Sequence, residues 1–197
     1  MILINPPNSS VGTKHPHLGI LYLAATLEKA GKPVVVLNCQ CLKNYRSIIL
    51  KALKDHEEVG ITVNVFTSAE AKDLARIIRS YLPEKRIIMG GPYATVMYKQ
   101  LIPDYADIVV LGEGEETIVE LMDGKALDRI KGIAYWDGEI KVNSPRELIE
   151  NLDFIPFPAY HLTDIKGYRF SAYRALPLVT MISSRGCPPW PLKSRLL

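Results

Sequence analysis

The residues up to Met122 alternate short apolar, largely β-branched runs with longer amphipathic segments, and this alternation restricts the fold more than any other feature. The short runs are predicted to be five strands, at Met1–Ile4, Val34–Leu37, Val59–Val63, Arg86–Met89 and Ile108–Leu111. The longer segments are predicted to be helices, at Leu18–Ala30, Tyr45–Lys54, Ser68–Tyr81 and Glu115–Met122, with a weaker one at Tyr93–Leu101. Strands that are apolar throughout need helices on both faces of their sheet. The sequence therefore predicts an α/β fold with a doubly wound, five-stranded parallel sheet.

The pattern changes after Met122, where two short segments flank the dipeptide Asp137-Gly138. A type I′ turn requires positive φ at both central residues, and Asp-Gly is one of the dipeptides that accept it. Gly132–Trp136 and Glu139–Asn143 are therefore predicted to form a β-hairpin.

The remaining residues have little periodicity. Closely spaced prolines in Asn151–Pro158 block both helix and sheet ladder, so this stretch is predicted to be an extended linker. Pro177–Ser183 is predicted to form one more strand. The chain thus divides into an α/β domain at 1–125, a hairpin appendage at 126–150, and a linker with an irregular C-terminal extension at 151–197.

Composition and charge exclude several classes of protein. The formal net charge of +3 comes with no dense Lys/Arg cluster, so nucleic acid is not an expected partner. No apolar run reaches the roughly 18 residues of a membrane span. The chain opens with Met1-Ile2-Leu3 without a basic flank or a cleavage site, so no signal peptide is expected. Three cysteines, an odd number, favour a reducing compartment, and the chain is expected to be cytoplasmic.

Three loops of unusual composition follow the carboxyl ends of predicted strands, where open parallel sheets bind ligands. The loop Asn5–Gly19 is long for such a connection, and long loops are more often functional than structural. The second loop is Thr62–Thr67. The third, Gly90-Gly91-Pro92, allows backbone to approach a ligand closely or simply makes a turn.

Phosphate binding is an alternative suggested by Gly112-Glu-Gly114-Glu-Glu, which follows the fifth strand and opens a helix. The motif lacks a third glycine, and three carboxylates, Glu113, Glu115 and Glu116, stand where an anion would bind. Carboxylates there stabilise a helix N-terminus electrostatically but repel phosphate. A dinucleotide site is therefore not expected.

Among the potential metal ligands, His15 and His17 lie in the first loop. A loop histidine is more often a solvated polar residue than a ligand, so metal contact by either stays a hypothesis. His56 and His161 are expected to be structural or exposed. Cys39 and Cys41 are interpreted as ordinary residues at a strand end, because no further ligands accompany them.

Several short motifs, taken in order, resemble the cobalamin (B12)-binding domains that precede radical-SAM domains. They are Pro6-Pro7, Leu18–Gly31, Val34–Asn38, Gly60–Val63, Met89–Thr95, Asp107–Glu116, Asn151–Pro158 and Ile182–Pro188. The resemblance implies a flavodoxin-like (Rossmann-like) fold, with cobalamin across the carboxyl edge of the sheet and its nucleotide tail beside Gly90 and Gly91. The cofactor-binding residues that we infer on this basis are Asn5, Pro6, Pro7, His15, His17, Leu18, Gly19, Thr62, Val63, Asn64, Gly90, Gly91, Pro92, Gly112 and Glu113.

Two features depart from such relatives. The Asp-x-His-x-x-Gly motif, whose histidine ligates cobalt, is absent: the nearest stretch, Thr13–Gly19, lacks the aspartate that would orient an imidazole. In the radical-SAM signature Cys-x-x-x-Cys-x-x-Cys, Cys187 matches the first position, but the next two are Pro191 and Ser194. The resemblance therefore implies a [4Fe–4S] cluster and S-adenosylmethionine only in an intact relative, with residues 151–197 as a linker and a truncated start of the radical-SAM domain.

The leading hypothesis is a cobalamin-binding module of an enzyme that performs methyl transfer or carbon-skeleton chemistry, with a radical-SAM domain or partner subunit beside it. The chain itself is expected to be inactive alone. The alternative is a flavodoxin-like interaction or regulatory module without a cofactor; Asn5-Pro6-Pro7 in place of paired aspartates disfavours a phosphoacceptor. Flavin binding is a third hypothesis: the first loop carries hydroxyls at Ser9, Ser10 and Thr13 but no aromatic bracket.

Overall fold

A computed structural model describes residues 1–8, 14–168, 179–182 and 184–185 of the chain. In this part the strands are β1 (Ile2–Asn5), β2 (Val35–Asn38), β3 (Glu58–Thr62), β4 (Arg86–Gly90), β5 (Ile108–Val110), β6 (Ile133–Trp136) and β7 (Ile140–Val142). The α-helices are α1 (Leu18–Lys29), α2 (Tyr45–Ala52), α3 (Ser68–Tyr81), α4 (Pro92–Met97) and α5 (Glu115–Met122). Most bounds lie within a few residues of those predicted.

The strands form one sheet in the order β2-β1-β3-β4-β5-β6-β7. The first five strands are parallel, and their order, 2-1-3-4-5, is that of flavodoxin-like folds. The predicted α/β class and doubly wound parallel sheet are confirmed. The strand order reverses between β1 and β3, and the carboxyl edge at that point is where ligands bind in such folds.

The predicted hairpin is present as β6 and β7, but it extends the main sheet to seven strands instead of leaving five. β6 pairs antiparallel with β5, with Ala134 opposite Val109. Ile133 and Ala134 are fully buried in that position. The turn dipeptide predicts a hairpin locally, whereas the edge on which the hairpin pairs depends on contacts distant in sequence.

Alternate residues of the central strands face two separate cores, as the twofold period of a strand requires. One face, covered by α2, α3 and α4, contains Ile2, Ile61 and Met89. The other face, covered by α1 and α5, contains Leu3 and Ile88.

The stretch predicted to be an extended linker, Asn151–Pro158, contains one 3₁₀ turn at Leu152–Phe154 and leads to a segment that packs along α1. Ala159 donates its backbone N–H to the Leu21 carbonyl at 3.1 Å. Farther on, Tyr168 is buried against the carboxyl end of β2. Of the strand predicted at Pro177–Ser183, the described residues 179–182 are not in a strand, and the others lie outside the described residues.

The helices in the described ranges include none that is long and apolar enough to cross a membrane.

Candidate functional site

A cavity of about 460 Å³ lies between the sheet and helices α1 and α5 and reaches the carboxyl edge of the strands. Gly60, Ile88, Gly90 and Val110 line it from the sheet, and the side chains that line it from the two helices include Tyr22, Leu23 and Ile118. Its walls are mostly apolar. A cavity of this volume falls within the roughly 300–1,000 Å³ typical of small-molecule sites.

Two glycines lie on the face of the sheet that lines the cavity, and only Gly90 leaves open space there. Gly60 stands in the middle of β3, between Leu3 of β1 and Ile88 of β4. A Cβ atom at Gly60 would lie 2.7 Å from Leu3 Cδ2, so the neighbouring strand has taken the space of the missing side chain. A Cβ atom at Gly90 would meet only Val110, at 3.6 Å, which is an ordinary contact. Any larger side chain at Gly90 would occupy the cavity.

Gly91 brings the loop after β4 against the end of β3. Its φ of +104° is one that glycine adopts readily and other residues rarely do. A Cβ atom there would lie 2.8 Å from the Val63 carbonyl oxygen, which accepts a hydrogen bond from the Tyr93 backbone N–H. Because neither Gly90 nor Gly91 carries a side chain, the edge of the sheet above the cavity is open at these two residues.

His17 is the N-cap residue of α1 and contributes to the cavity wall. Its Nδ1 atom accepts a hydrogen bond from the Ile20 backbone N–H at 3.4 Å, and its Nε2 atom lies 3.4 Å from Thr62 Oγ1. Burial, with a smaller contribution from His15, lowers the pKa of His17 to about 4. The ring is therefore neutral near pH 7, and the hydrogen bond from Ile20 assigns its proton to Nε2.

Charged groups form the side of the cavity mouth next to α5. Arg185 forms ion pairs with Glu113, at 3.3 Å, and with Glu115, at 2.6 Å. Its guanidinium carbon lies 5.1 Å from the centroid of the Tyr22 ring. Glu113 also accepts a hydrogen bond from the Ile149 backbone N–H at 2.7 Å. Two of the three carboxylates predicted to stabilise the helix N-terminus, Glu113 and Glu115, thus pair with Arg185, and Glu113 also accepts a hydrogen bond from the chain after the hairpin.

Of the predicted site residues, the structure brings a majority together around the cavity. Those that line it are His17, Gly19, Thr62, Gly90, Gly91, Pro92, Gly112 and Glu113. The other described ones do not line the cavity. They stand in the loops at the same edge, at its strand ends or at the first position of α1, namely Asn5, Pro6, Pro7, His15, Leu18, Val63 and Asn64. Cys187, predicted as an iron–sulfur ligand, lies outside the described residues.

Two of the predicted polar residues form structural hydrogen bonds. Asn5, which is 1% exposed, donates from Nδ2 to Asn38 Oδ1 at 3.0 Å across β1 and β2. The Asn64 side chain accepts hydrogen bonds from the backbone N–H groups of Phe66 and Thr67. These contacts organise the loops that surround the cavity mouth.

Several residues of the cavity wall were not predicted from the sequence. They are Leu3, Ile20, Tyr22, Leu23, Gly60, Ile61, Ile88, Val110, Gly114, Glu115, Ile118, Ile182, Ser184 and Arg185. Gly60 had a detectable signal, because an isolated glycine inside a strand often marks a close approach of backbone or ligand. Arg185 had none, since its partners are about 70 residues away in sequence.

The cysteines of the described part are free thiols. Cys39 is buried, and burial raises the pKa of its thiol to about 12; Cys41 is half-buried. Across residues 1–8, 14–168, 179–182 and 184–185, no group of three or more His, Cys, Asp or Glu side chains is arranged to hold a metal ion.

Comparison with known proteins identifies the class to which this fold and cavity belong. The family model described as the B12 binding domain matches residues 5–122, which include the last residue of β1, strands β2 to β5 and all five α-helices. This chain belongs to the B12-binding domain family.

The relatives are longer proteins. An uncharacterised methyltransferase of Pyrococcus horikoshii is 33% identical over 95% of this chain and 43% of its own length. An anaerobic magnesium-protoporphyrin IX monomethyl ester cyclase of Cereibacter sphaeroides is 25% identical over 95% of this chain and 33% of its own. The chain thus spans less than half the length of these curated relatives.

A solved structure has the same fold. The radical S-adenosylmethionine methyltransferase TsrM from Kitasatospora setae aligns with a TM-score of 0.62 at 18% identity, over 74% of this chain and 30% of that one. At this identity the likeness establishes the fold of the shared domain.

Proposed function

We propose that this chain binds cobalamin and serves as the corrinoid-binding module of a radical-SAM enzyme that performs methyl transfer or carbon-skeleton chemistry. The observation that carries the proposal is the apolar cavity at the carboxyl edge, which Gly90 and Gly91 leave free of side chains. Membership of the B12-binding domain family gives the cavity its ligand class.

The shape of the cavity fits one part of cobalamin better than the rest. A space of about 460 Å³ between the sheet and two helices suits the flat base and sugar of the nucleotide tail. The corrin ring is too large to enter it, so the ring would rest over the mouth, on the loops after β1, β3 and β4. The bare backbone at Gly90 and Gly91 leaves room for a bulky group there.

The residues at the mouth would orient the ring without ligating its metal. His17 has one ring nitrogen accepting a hydrogen bond from Ile20 and the other, protonated, facing Thr62, so neither presents a free lone pair. Thr62 and the backbone of Gly112 offer polar groups to the ring periphery. When bound, cobalamin supplies a cobalt centre able to carry and transfer a methyl group.

The activity of a whole enzyme is a further step of the proposal. The P. horikoshii relative is named as a methyltransferase and the C. sphaeroides relative as a cyclase, and both are more than twice as long as the aligned region. We assign the [4Fe–4S] cluster and S-adenosylmethionine to the radical-SAM domain of an intact relative; in this chain Cys187 matches the first position of the cysteine motif, and Pro191 and Ser194 stand at the other two.

The experiment that tests the proposal mixes the purified chain with hydroxocobalamin, removes unbound corrinoid by desalting, and records the visible spectrum. Retention of about one corrinoid per chain is expected. Gly90→Leu, whose side chain would fill the cavity, is expected to retain much less while keeping the circular dichroism spectrum of the folded protein. Loss of all corrinoid from the wild-type chain would contradict the proposal, and a tightly held yellow chromophore would favour flavin instead.

A further inference from the structure

Two arginines from separate later segments of the chain form ion pairs with carboxylates in the first two turns of α5 and just before it. Arg146 pairs with Glu116 at 2.7 Å and also contacts Glu120. Arg185 pairs with Glu113 and Glu115. The acidic stretch from Glu113 to Glu120 therefore anchors both the residues just after the hairpin and the residues near position 185.

The two arginines differ in their position relative to the cavity. Arg146 lies outside the cavity wall, whereas Arg185 is part of it, together with Ile182 and Ser184. Arg185 also stacks on Tyr22 of α1 while it pairs with Glu115 of α5. A single side chain thus bridges the two helices that enclose the cavity.

Burial makes the Arg185 pair more costly to break than a typical surface ion pair. The side chain of Arg185 is 23% exposed and that of Glu115 only 8% exposed. Exposed pairs contribute little because water and salt screen them. Removal of one partner from a largely buried pair leaves a charge without compensation, which is costly. The guanidinium can also satisfy two carboxylates at once, because its donors are fixed in a fork.

We propose that Arg185 is a positioning residue that fastens Ile182, Ser184 and its own backbone to α1 and α5 as a wall of the ligand cavity. By this attachment it would slow the escape of a bound ligand and hold the chain two residues before Cys187 at the cavity mouth. The attachment itself is independent of the ligand; its effect on cobalamin rests on the proposed function.

Arg185→Met is compared with Arg146→Met, which breaks a similar pair on the same helix away from the cavity. The first measurement is hydrogen–deuterium exchange of residues 179–185 in the ligand-free protein. We expect faster exchange in Arg185→Met and unchanged exchange in Arg146→Met. Glu115→Gln, which removes the partner instead, should reproduce the effect of Arg185→Met.

The second measurement is the rate at which bound hydroxocobalamin is lost after dilution. Arg185→Met is expected to release it about tenfold to a hundredfold faster, as loss of a hydrogen bond to a charged group would predict. Arg185→Lys should lie between wild type and Arg185→Met, because an ammonium group pairs with one carboxylate but cannot span both. Arg146→Met should release at the wild-type rate.

The two readouts separate this inference from the cobalamin proposal. If the wild-type chain retains no corrinoid, the cobalamin proposal fails and the exchange of residues 179–185 alone decides whether Arg185 fastens the segment. Equal exchange in Arg185→Met and Arg146→Met would overturn the inference. So would equal release rates in those two variants when corrinoid is bound.

Discussion

The Nε2 atom of His17 lies 3.4 Å from the Oγ1 atom of Thr62, so the loop after β1 touches the end of β3 where the strand order reverses. Its Nδ1 atom meanwhile accepts the hydrogen bond that begins α1. The imidazole thus connects the loop, the helix and the strand end at the cavity wall. It does so as a neutral ring, because its pKa is lowered to about 4.

This lowered pKa predicts how stability depends on pH. Between about pH 4 and pH 6.5 the unfolded chain binds a proton at His17 that the folded chain does not, so stability falls as the pH drops through this window. His17→Asn keeps an oxygen that can cap α1 but does not titrate. Between pH 7 and pH 5 we expect wild type to lose on the order of 1–2 kcal/mol more than His17→Asn in urea unfolding.

His161→Gln is the matched control, because His161 is exposed and pairs with Glu28 at the surface. This variant retains His17, so it should keep the His17-dependent loss of stability between pH 7 and pH 5. Identical pH dependence of wild type and His17→Asn would contradict the environment described for His17.

Gly90 and Gly91 are adjacent but should respond differently to alanine. Gly91→Ala places a Cβ atom 2.8 Å from the Val63 carbonyl oxygen at a positive φ, and strain of this kind costs on the order of 1–3 kcal/mol. Gly90→Ala makes only an ordinary contact with Val110. The urea midpoint of unfolding should therefore fall clearly for Gly91→Ala and change little for Gly90→Ala. The reverse order would contradict the close approach of Gly91 to the Val63 carbonyl oxygen.

Tyr168 tests whether the segment after the hairpin is a fixed part of the domain. Its hydroxyl accepts a hydrogen bond from Asn38 Nδ2 at 3.2 Å and also contacts Thr163 Oγ1. Tyr168→Phe leaves the buried Asn38 amide with fewer partners, so unfolding free energy should drop by about 1–3 kcal/mol. Tyr81→Phe, at a residue 71% exposed, is the control and should leave thermal and urea midpoints unchanged. No loss for Tyr168→Phe would mean that the segment does not pack as described.

The sequence predicts the parallel part of the fold because the information is local. Strands such as Ile108–Leu111 are uninterrupted apolar runs, and Ser68–Tyr81 has its apolar residues on one face, so each element can be recognised from its own residues. The pairing of the hairpin with β5 depends on contacts between Val109 and Ala134, which no local pattern specifies.

The candidate site is predictable to a similar extent. The loops at Thr62 and Gly90 are recognisable because they follow strands whose carboxyl ends share one edge. The burial that lowers the pKa of His17, and the pairing of Glu113 with Arg185, arise from tertiary packing. From the sequence, the carboxylates at the start of α5 are expected to stabilise the helix N-terminus. Their ion pairs with later segments of the chain form only in the tertiary structure.

The most direct test of the central claim compares the affinities of cobalamin and cobinamide, which lacks the nucleotide tail, by equilibrium dialysis. If the tail occupies the cavity beside Gly90, the wild-type chain should bind cobalamin at least tenfold more tightly than cobinamide, about 1.4 kcal/mol. Gly90→Leu should abolish most of this preference for cobalamin over cobinamide. Equal affinities of the wild-type chain for the two corrinoids would contradict the account.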